Sequence, residues 1–173
     1  DTKNPYVDWL KMMHGHLKEN GRIVIAIENK LGLKYFAGCM EDHLGTYFSG
    51  IEDYAKGGGV RTFVRGRLEQ MFAKSGLQEY SFYYPYPDYK FMTTLYSDMR
   101  LPNPGELYDN MRNFDRERML LFDEKQAFDG IARDGLFPVF SNSYAVVIGP
   151  KPDVAYVKYS NDRAEEYAIR TEL

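Results

Sequence analysis

The feature that most constrains the fold is the stretch GRIVIAIENK, residues 21–30, in which an apolar run ends in polar side chains. Residues 23–27 are all apolar, which predicts a strand covered on both faces, as in the interior of an α/β sheet. Glu28, Asn29 and Lys30 follow at once. In open α/β sheets, ligands bind beyond the carboxyl ends of the strands. The stretch therefore predicts a buried central strand whose end opens onto a cleft.

The composition narrows the class of protein. The chain has 173 residues, of which 44% are hydrophobic and 27% are charged, and its net charge is −3. This acidic total gives no reason to expect nucleic acid or an anionic membrane as a partner. The single cysteine, Cys39, cannot form an internal disulfide, and the longest apolar run is far shorter than a membrane span. We therefore expect a soluble, cytoplasmic protein without a membrane span.

Hydrophobic periodicity predicts the elements around this strand. Apolar residues at helical spacing predict helices over residues 5–19 and 63–75. Residues 31–59, which lie between the strand and the second helix, are rich in glycine and predict a long loop. Further predictions are strands over residues 78–87 and 141–149, helices over 106–122, and a helix capped by Asp123. Helix, turn and buried strand form the second half of a βαβ unit, so we expect the chain to be part of a larger protein.

The proline-containing stretch PKPD, residues 150–153, predicts a domain boundary. Residues 1–149 are assigned to one domain, and residues 150–173 to a linker with two short strands. So short a segment cannot bury a core alone. These strands are either a terminal hairpin of the first domain or the opening strands of a following one.

Three motifs carry a resemblance to a known family. They are ENKLGLKYFAG at 28–38, EDHLG at 41–45 and YYPYPDYK at 83–90. With the helix-to-strand turn before residue 23, they resemble the carboxyl-terminal half of class I S-adenosylmethionine-dependent methyltransferase-like domains. The resemblance covers residues 4–149 and is to a bacterial group of multidomain proteins linked to surface polysaccharide synthesis. It implies a partial Rossmann-like sheet with helices on both faces and an antiparallel C-terminal edge.

The resemblance also implies a function. The chain would supply the acceptor-side portion of a methyltransferase acting on a sugar or polysaccharide precursor, with S-adenosylmethionine as cofactor. The family holds this cofactor with a glycine-rich turn after its first strand and an acid after its second, and neither occurs here. The only glycine cluster, residues 57–59, follows no predicted strand. We therefore expect the cofactor site to lie mostly outside this chain, and the fragment alone to be inactive.

Two alternatives to a methyltransferase stay open. The domain could be a catalytically inactive binding or scaffolding module beside a glycosyltransferase or kinase-like domain, and residues 156–173 resemble the start of the latter. It could also be an unrelated Rossmann-like domain with a different nucleotide cofactor. Because a half-domain leaves a sheet edge uncovered, we also expect homodimerisation through that edge.

The resemblance places the acceptor pocket at the end of the first strand. Glu28 is the candidate general base there, and Asn29 a candidate ligand for acceptor hydroxyl groups. Both side chains could instead fix the following loop by bonding to its backbone. His43 is a second candidate for accepting a proton, with Glu41 and Asp42 beside it as substrate-binding residues. The alternative is an ordered polar loop, and three adjacent residues lack the usual spacing of metal ligands.

The third motif is rich in tyrosine and offers a rim for the same cleft. A sugar ring could stack on Tyr86 or Tyr89 while Asp88 and Lys90 bond to its hydroxyl groups, although strand alternation buries every second tyrosine. Lys34 and Tyr35 are two further candidate substrate-binding residues, and the alternative is a helical turn that packs Tyr35 and Phe36 onto the sheet.

Overall fold

The computed structural model describes residues 4–55, 57, 59–109, 118–160 and 164–173. Six strands form one sheet in the order β1-β4-β2-β3-β5-β6, and each neighbouring pair is antiparallel. The strands are β1 (Ile23–Glu28), β2 (Tyr80–Tyr86), β3 (Thr94–Ser97), β4 (Ser143–Ile148), β5 (Val157–Ser160) and β6 (Ile169–Glu172). The α-helices are α1 (Pro5–Gly15), α2 (Leu33–Phe36), α3 (Arg65–Lys74), α4 (Glu124–Arg133) and α5 (Phe137–Phe140), and short 3₁₀ helices span Tyr89–Phe91 and Glu165–Tyr167.

Local sequence signals set the limits of several helices. Pro5 opens α1, where its missing N–H costs nothing. The side chain of Asp123 accepts hydrogen bonds from the backbone N–H groups of Lys125 and Gln126, which confirms the predicted cap of α4. Gly76 follows α3 with a φ of 76°, a conformation that glycine adopts readily and that ends helices.

The hydrophobic core lies on one face of the sheet. Alternate residues of β2 and β4 point into it, and all five α-helices contribute side chains to the same cluster. Phe72, Phe128 and Phe137, from three different helices, are almost completely buried there. The expectation that helices cover both faces is therefore wrong for the part of the chain that the structure describes. The α/β class holds, but the sheet is antiparallel and a Rossmann-like fold is not established.

The strand β1 differs from its prediction in the same way. In the described chain it lies at one end of the strand order, where a half-domain would leave a sheet edge uncovered, but its burial is not that of a strand covered on both faces. Ile23 is buried on the helix-covered face, whereas Val24 is 67% exposed and Ala26 is also exposed. The apolar run predicted burial of both faces. Strand alternation instead places the side chains of Val24 and Ala26 on the face that no described helix covers. Pairing of two copies through the outer side of β1 stays a prediction.

The topology explains where polar groups collect. Because β1 and β2 are both antiparallel to β4, which lies between them, they run in the same direction. Their carboxyl ends and the amino end of β4 therefore meet at one end of the sheet, where Glu28 pairs with Ser143. The segments that follow β1 and β2 both start from this point.

The C-terminal strands extend the same sheet. Strands β5 and β6 form an antiparallel pair, and β5 joins the sheet by pairing with β3. The position of a domain boundary at residue 150 stays a prediction. Helices were predicted over residues 106–122, but residues 106–109 and 118–122 are not helical and 110–117 lie outside the described residues. In the described part of the chain, no helix is both long and apolar enough to span a membrane.

Candidate functional site

Charged side chains from three segments meet at the shared end of β1, β2 and β4. We call them the ionic cluster, and its members are Glu28, Lys34, Tyr35, Glu41, Asp42, Asp88, Tyr89 and Lys90. All eight were singled out from the sequence as candidates. They come from the end of β1, from the segment containing α2, and from the 3₁₀ turn after β2.

The deepest contact in the cluster is a buried ion pair. The Lys34 Nζ atom lies 2.9 Å from Asp88 Oδ2, and the two side chains are 2% and 0% exposed. The other carboxylate oxygen of Asp88 accepts a hydrogen bond from the backbone N–H of Lys90. This pair links α2 to the turn after β2, and burial of both charges makes each dependent on the other.

A second ion pair lies at the rim of the cluster. Lys90 Nζ is 2.7 Å from Glu28 Oε1 and also contacts Asp42 Oδ2, while the Tyr89 hydroxyl donates to Glu28 Oε1 over 3.2 Å. The side chains of Lys90 and Asp42 are 34% and 17% exposed, and that of Glu28 only 3%. The cluster therefore reaches solvent at Lys90 and Asp42.

The neighbours of the rim residues shift their protonation equilibria. Burial would raise the pKa of Asp42, but a hydrogen bond with Glu28 and the charges of Lys34 and Lys90 outweigh it and lower that pKa below its ordinary value. Burial would lower the pKa of Lys90, but hydrogen bonds to Asp42 and Glu28 outweigh it and raise that pKa. Asp42 is therefore a carboxylate, and Lys90 an ammonium group, at neutral pH.

Two buried polar atoms in the cluster lack a hydrogen-bond partner among the described residues. They are the hydroxyl of Tyr35 and Oε1 of Glu41. Burial, followed by the surrounding carboxylates, raises the pKa of Tyr35, so its hydroxyl remains a donor. The second oxygen of Glu41 accepts from the backbone N–H groups of His43 and Leu44. Buried polar groups without partners are rare in proteins, and they mark a place where a polar ligand or water can bind.

The remaining candidates have other positions. Asn29 is fully buried, and its amide donates to the carbonyl groups of Val139 and Ser141 at 2.7 and 2.8 Å. Its Oδ1 atom accepts a hydrogen bond from the backbone N–H of Leu31 over 3.1 Å, a contact of the kind that the loop-fixing alternative predicts. His43 is exposed beside Asp42. Tyr86 is buried against Phe128 in the core, with ring centroids 5.8 Å apart, and so cannot stack on a sugar at the rim.

Two residues that support the cluster were not recognised in the sequence. Asn142 accepts a hydrogen bond from the backbone N–H of Lys34 and donates to the carbonyl of Pro87. Ser143 Oγ accepts from the backbone N–H of Tyr89. Both belong to the SNS stretch that precedes the apolar part of β4. The sequence did contain a signal for such supporting residues. Polar residues stand at the start of a buried strand, near the ends of its neighbouring strands.

The cluster combines acidic, basic and phenolic side chains at close range. Four carboxylates surround two ammonium groups and two tyrosines, so hydrogen-bond acceptors and donors alternate over a small volume. Among the described residues, no group of three or more histidines, cysteines or acids could hold a metal ion.

The described glycines do not form the glycine-rich turn with which the family holds S-adenosylmethionine. The turn from β1 to α2 contains one glycine, Gly32, and a Cβ atom there would lie 3.0 Å from the Asn142 backbone. That glycine therefore permits close chain packing instead of the approach of a ligand. Gly57 and Gly59 lie in a segment that follows no strand. No protein-family model, curated protein or solved structure matches the chain.

Proposed function

We propose that the ionic cluster binds the acceptor substrate of a methyltransferase-like protein, and that this acceptor is a sugar or polysaccharide precursor. The observation that carries the proposal is that a solvent-accessible rim lies beside buried polar atoms that lack hydrogen-bond partners among the described residues. Asp42 and Lys90 form the rim, and the Tyr35 hydroxyl and Glu41 Oε1 are the buried atoms.

The donor and acceptor pattern fits a polyol. The carboxylate of Asp42 accepts hydrogen bonds from hydroxyl groups, and Lys90 and Tyr35 donate to hydroxyl oxygens. Charge-assisted bonds of this kind are stronger than those between neutral groups. Such a ligand would also give the buried Tyr35 and Glu41 atoms the hydrogen bonds that they lack within the described chain.

Glu28 is the candidate general base. Lys90 Nζ and the Tyr89 hydroxyl both donate to its Oε1 atom. A carboxylate at this position is the group that takes the proton of an acceptor hydroxyl in the proposed reaction.

The methyltransferase part of the proposal is supported by the sequence resemblance and by the antiparallel pairing of β2 with β4 next to β1. S-adenosylmethionine would supply the methyl group, held by residues other than those described here. A second candidate is a binding or scaffolding module without chemistry. It is favoured by the pairing of Glu28 and Asp88 with lysines.

The acceptor part can be tested with the chain itself. We would measure saturation-transfer NMR with the methyl glycosides of glucose, mannose, N-acetylglucosamine and rhamnose. We expect transfer from the wild-type chain and from Asp153→Asn, an exposed aspartate outside the cluster, and at least a tenfold loss of affinity in Asp42→Asn. No transfer to any of the four glycosides, or equal affinity in Asp42→Asn, would overturn the proposed site.

The cofactor part needs a separate measurement. We would titrate S-adenosylhomocysteine calorimetrically into this chain and into the complete natural protein. Binding by the complete protein alone supports a methyltransferase whose cofactor site lies elsewhere. No binding by either, with both shown to be folded, would reject the methyltransferase in favour of the binding module.

A further inference from the structure

A second candidate site lies away from the ionic cluster. A cavity of about 620 Å³ opens between the start of α1, residues 61–64 and the first turns of α3. We call it the basic cavity. Its volume falls within the range of roughly 300–1,000 Å³ that is typical of small-molecule sites.

Positive charge dominates the lining of this cavity. Its charged side chains are Lys30, Arg61, Arg67 and Asp53. Lys30 Nζ lies 2.5 Å from Asp53 Oδ1, so one cation and one anion compensate each other. The hydrogen bond and charge of Lys30, and then the charges of Arg61 and Arg67, lower the pKa of Asp53. All three cations are therefore close enough to act on the same region.

The two arginines have no carboxylate partner within the described chain. The guanidinium group of Arg61 lies over the ring of Tyr54, 5.4 Å from its centroid. Arg67 bonds to the neutral side chain of Gln70. Arginine presents a planar set of donors that fits phosphate or carboxylate oxygens in pairs. An anion with two or more oxygens can therefore engage both side chains without breaking an ion pair.

The cavity also has an apolar aromatic side. The rings of Tyr6 and Phe63 pack edge to face with centroids 5.0 Å apart, and Val7 and Met71 line the cavity beside them. A flat apolar group is well accommodated by such a surface. The cavity thus combines a cationic side with an aromatic side, and these favour two different parts of one ligand.

The start of α3 adds to the positive potential. Its N-cap residue, Val64, forms no side-chain cap hydrogen bond within the described chain, and Gly66 lines the cavity with open space where a Cβ atom would be. N–H groups in the first turn of a helix favour a nearby anion. The start of the helix therefore adds to the positive potential of Arg61 and Arg67, which remain the main groups for binding an anion.

From the cavity size, the arginines without an ion pair among the described residues, and the aromatic side, we infer that the basic cavity binds a phosphorylated ligand bearing a flat ring, of nucleotide size. The phosphate groups contact Arg61 and Arg67, and the ring lies towards Tyr6 and Phe63. This site is independent of the acceptor site proposed above, since the ionic cluster is rich in carboxylates and would repel the same ligand.

The test is calorimetric titration of the chain with ADP, adenosine and pyrophosphate. We expect ADP to bind at least tenfold more tightly than adenosine or pyrophosphate, because only ADP uses both sides of the cavity. Its affinity should fall when the salt concentration is raised from about 25 to 200 mM, because exposed charges are screened. Equal affinity for ADP and adenosine would overturn the role of the arginines, and no ADP binding would overturn the site.

Variants locate the binding site. Arg61→Gln with Arg67→Gln should weaken ADP binding at least tenfold, whereas Arg133→Gln with Arg170→Gln, two exposed arginines outside the cavity, should not. Equal losses in the two double variants would show a general charge effect and overturn the site. Asp53→Asn should tighten binding, because it removes the carboxylate that faces the cations.

NMR of the wild-type chain provides a test that does not depend on the folding of variants. ADP should shift the backbone amide signals of Gly66 and Arg67 and leave those of Asp88 and Lys90 unchanged. Shifts confined to the ionic cluster would overturn the assignment to the basic cavity.

Discussion

The ionic cluster and the basic cavity differ in how their charges are compensated. In the cluster, Lys34 and Lys90 lie 2.9 and 2.7 Å from Asp88 and Glu28, and three of these four side chains are almost fully buried. In the cavity, the arginines are exposed and have no carboxylate partner among the described residues.

This difference separates charges that hold the fold together from charges available to a ligand. A buried ion pair cannot lose one member without leaving an uncompensated charge. An exposed cation loses little when it is replaced, since water solvates the remaining groups. We therefore expect substitutions in the cluster to act first on stability, and substitutions in the cavity to act first on binding.

The largest effect is expected at the buried pair. Lys34→Met leaves the carboxylate of Asp88 buried without its cation, and should lower the free energy of unfolding by about 3–5 kcal/mol. Urea denaturation measures this change, and Lys125→Met, at an exposed lysine of α4, is the matched control. The double variant Lys34→Met with Asp88→Asn should recover part of the loss, because neither of these two positions then carries a buried charge. A double variant no more stable than Lys34→Met would show that the uncompensated charge is not the cause.

A smaller effect is expected at the rim. Lys90→Met removes the charge-assisted contacts with Glu28 and Asp42, but Asp42 is partly exposed to solvent and the Tyr89 hydroxyl still donates to Glu28. We expect a loss of about 1.5–3 kcal/mol, the size of one hydrogen bond to a charged group. Denaturation of Lys90→Met beside Lys34→Met checks the order. A larger loss at Lys90 than at Lys34 would contradict the distinction between the rim and the buried pair.

The same contrast shows what the sequence could predict. The cluster residues follow strand ends, and strands running in one direction bring their carboxyl ends together. The convergence of Glu28, Asp42 and Lys90 was therefore predictable. The structure places Tyr86 in the core instead, because a strand residue can occupy either face and only the position of the helices decides which face is buried.

No comparable pattern in the sequence predicted the basic cavity. Lys30 lies on a different segment from Arg61 and Arg67 and is far from both along the chain. Their proximity depends on how the segment after β1 packs against α1 and α3. The burial of β1 was mispredicted for a related reason. An apolar run shows that both faces of a strand can be covered, but it does not show whether helices lie on each face.

A pH-dependent effect of intermediate size is expected at Asp42. Its pKa lies below the ordinary value of 3.8 in the folded chain, so its stabilisation is present above that value and is lost as the pH falls through the folded pKa. The stability difference between wild type and Asp42→Asn should be constant above about pH 5 and shrink below about pH 4. Urea denaturation across this range measures it, with Asp153→Asn as control. A difference that grows as the pH falls would contradict the sign of the shift.

The smallest effect on stability is expected in the basic cavity. Arg61→Gln with Arg67→Gln removes two exposed cations without an ion pair in the described chain, so the free energy of unfolding should change by no more than about 0.5 kcal/mol. Because like charges repel, the change could even favour the folded state. Urea denaturation in the absence of ligand measures it, beside Arg133→Gln with Arg170→Gln. A loss as large as that of Lys90→Met would mean that these arginines hold the fold together after all, and the contrast between the two regions would fail.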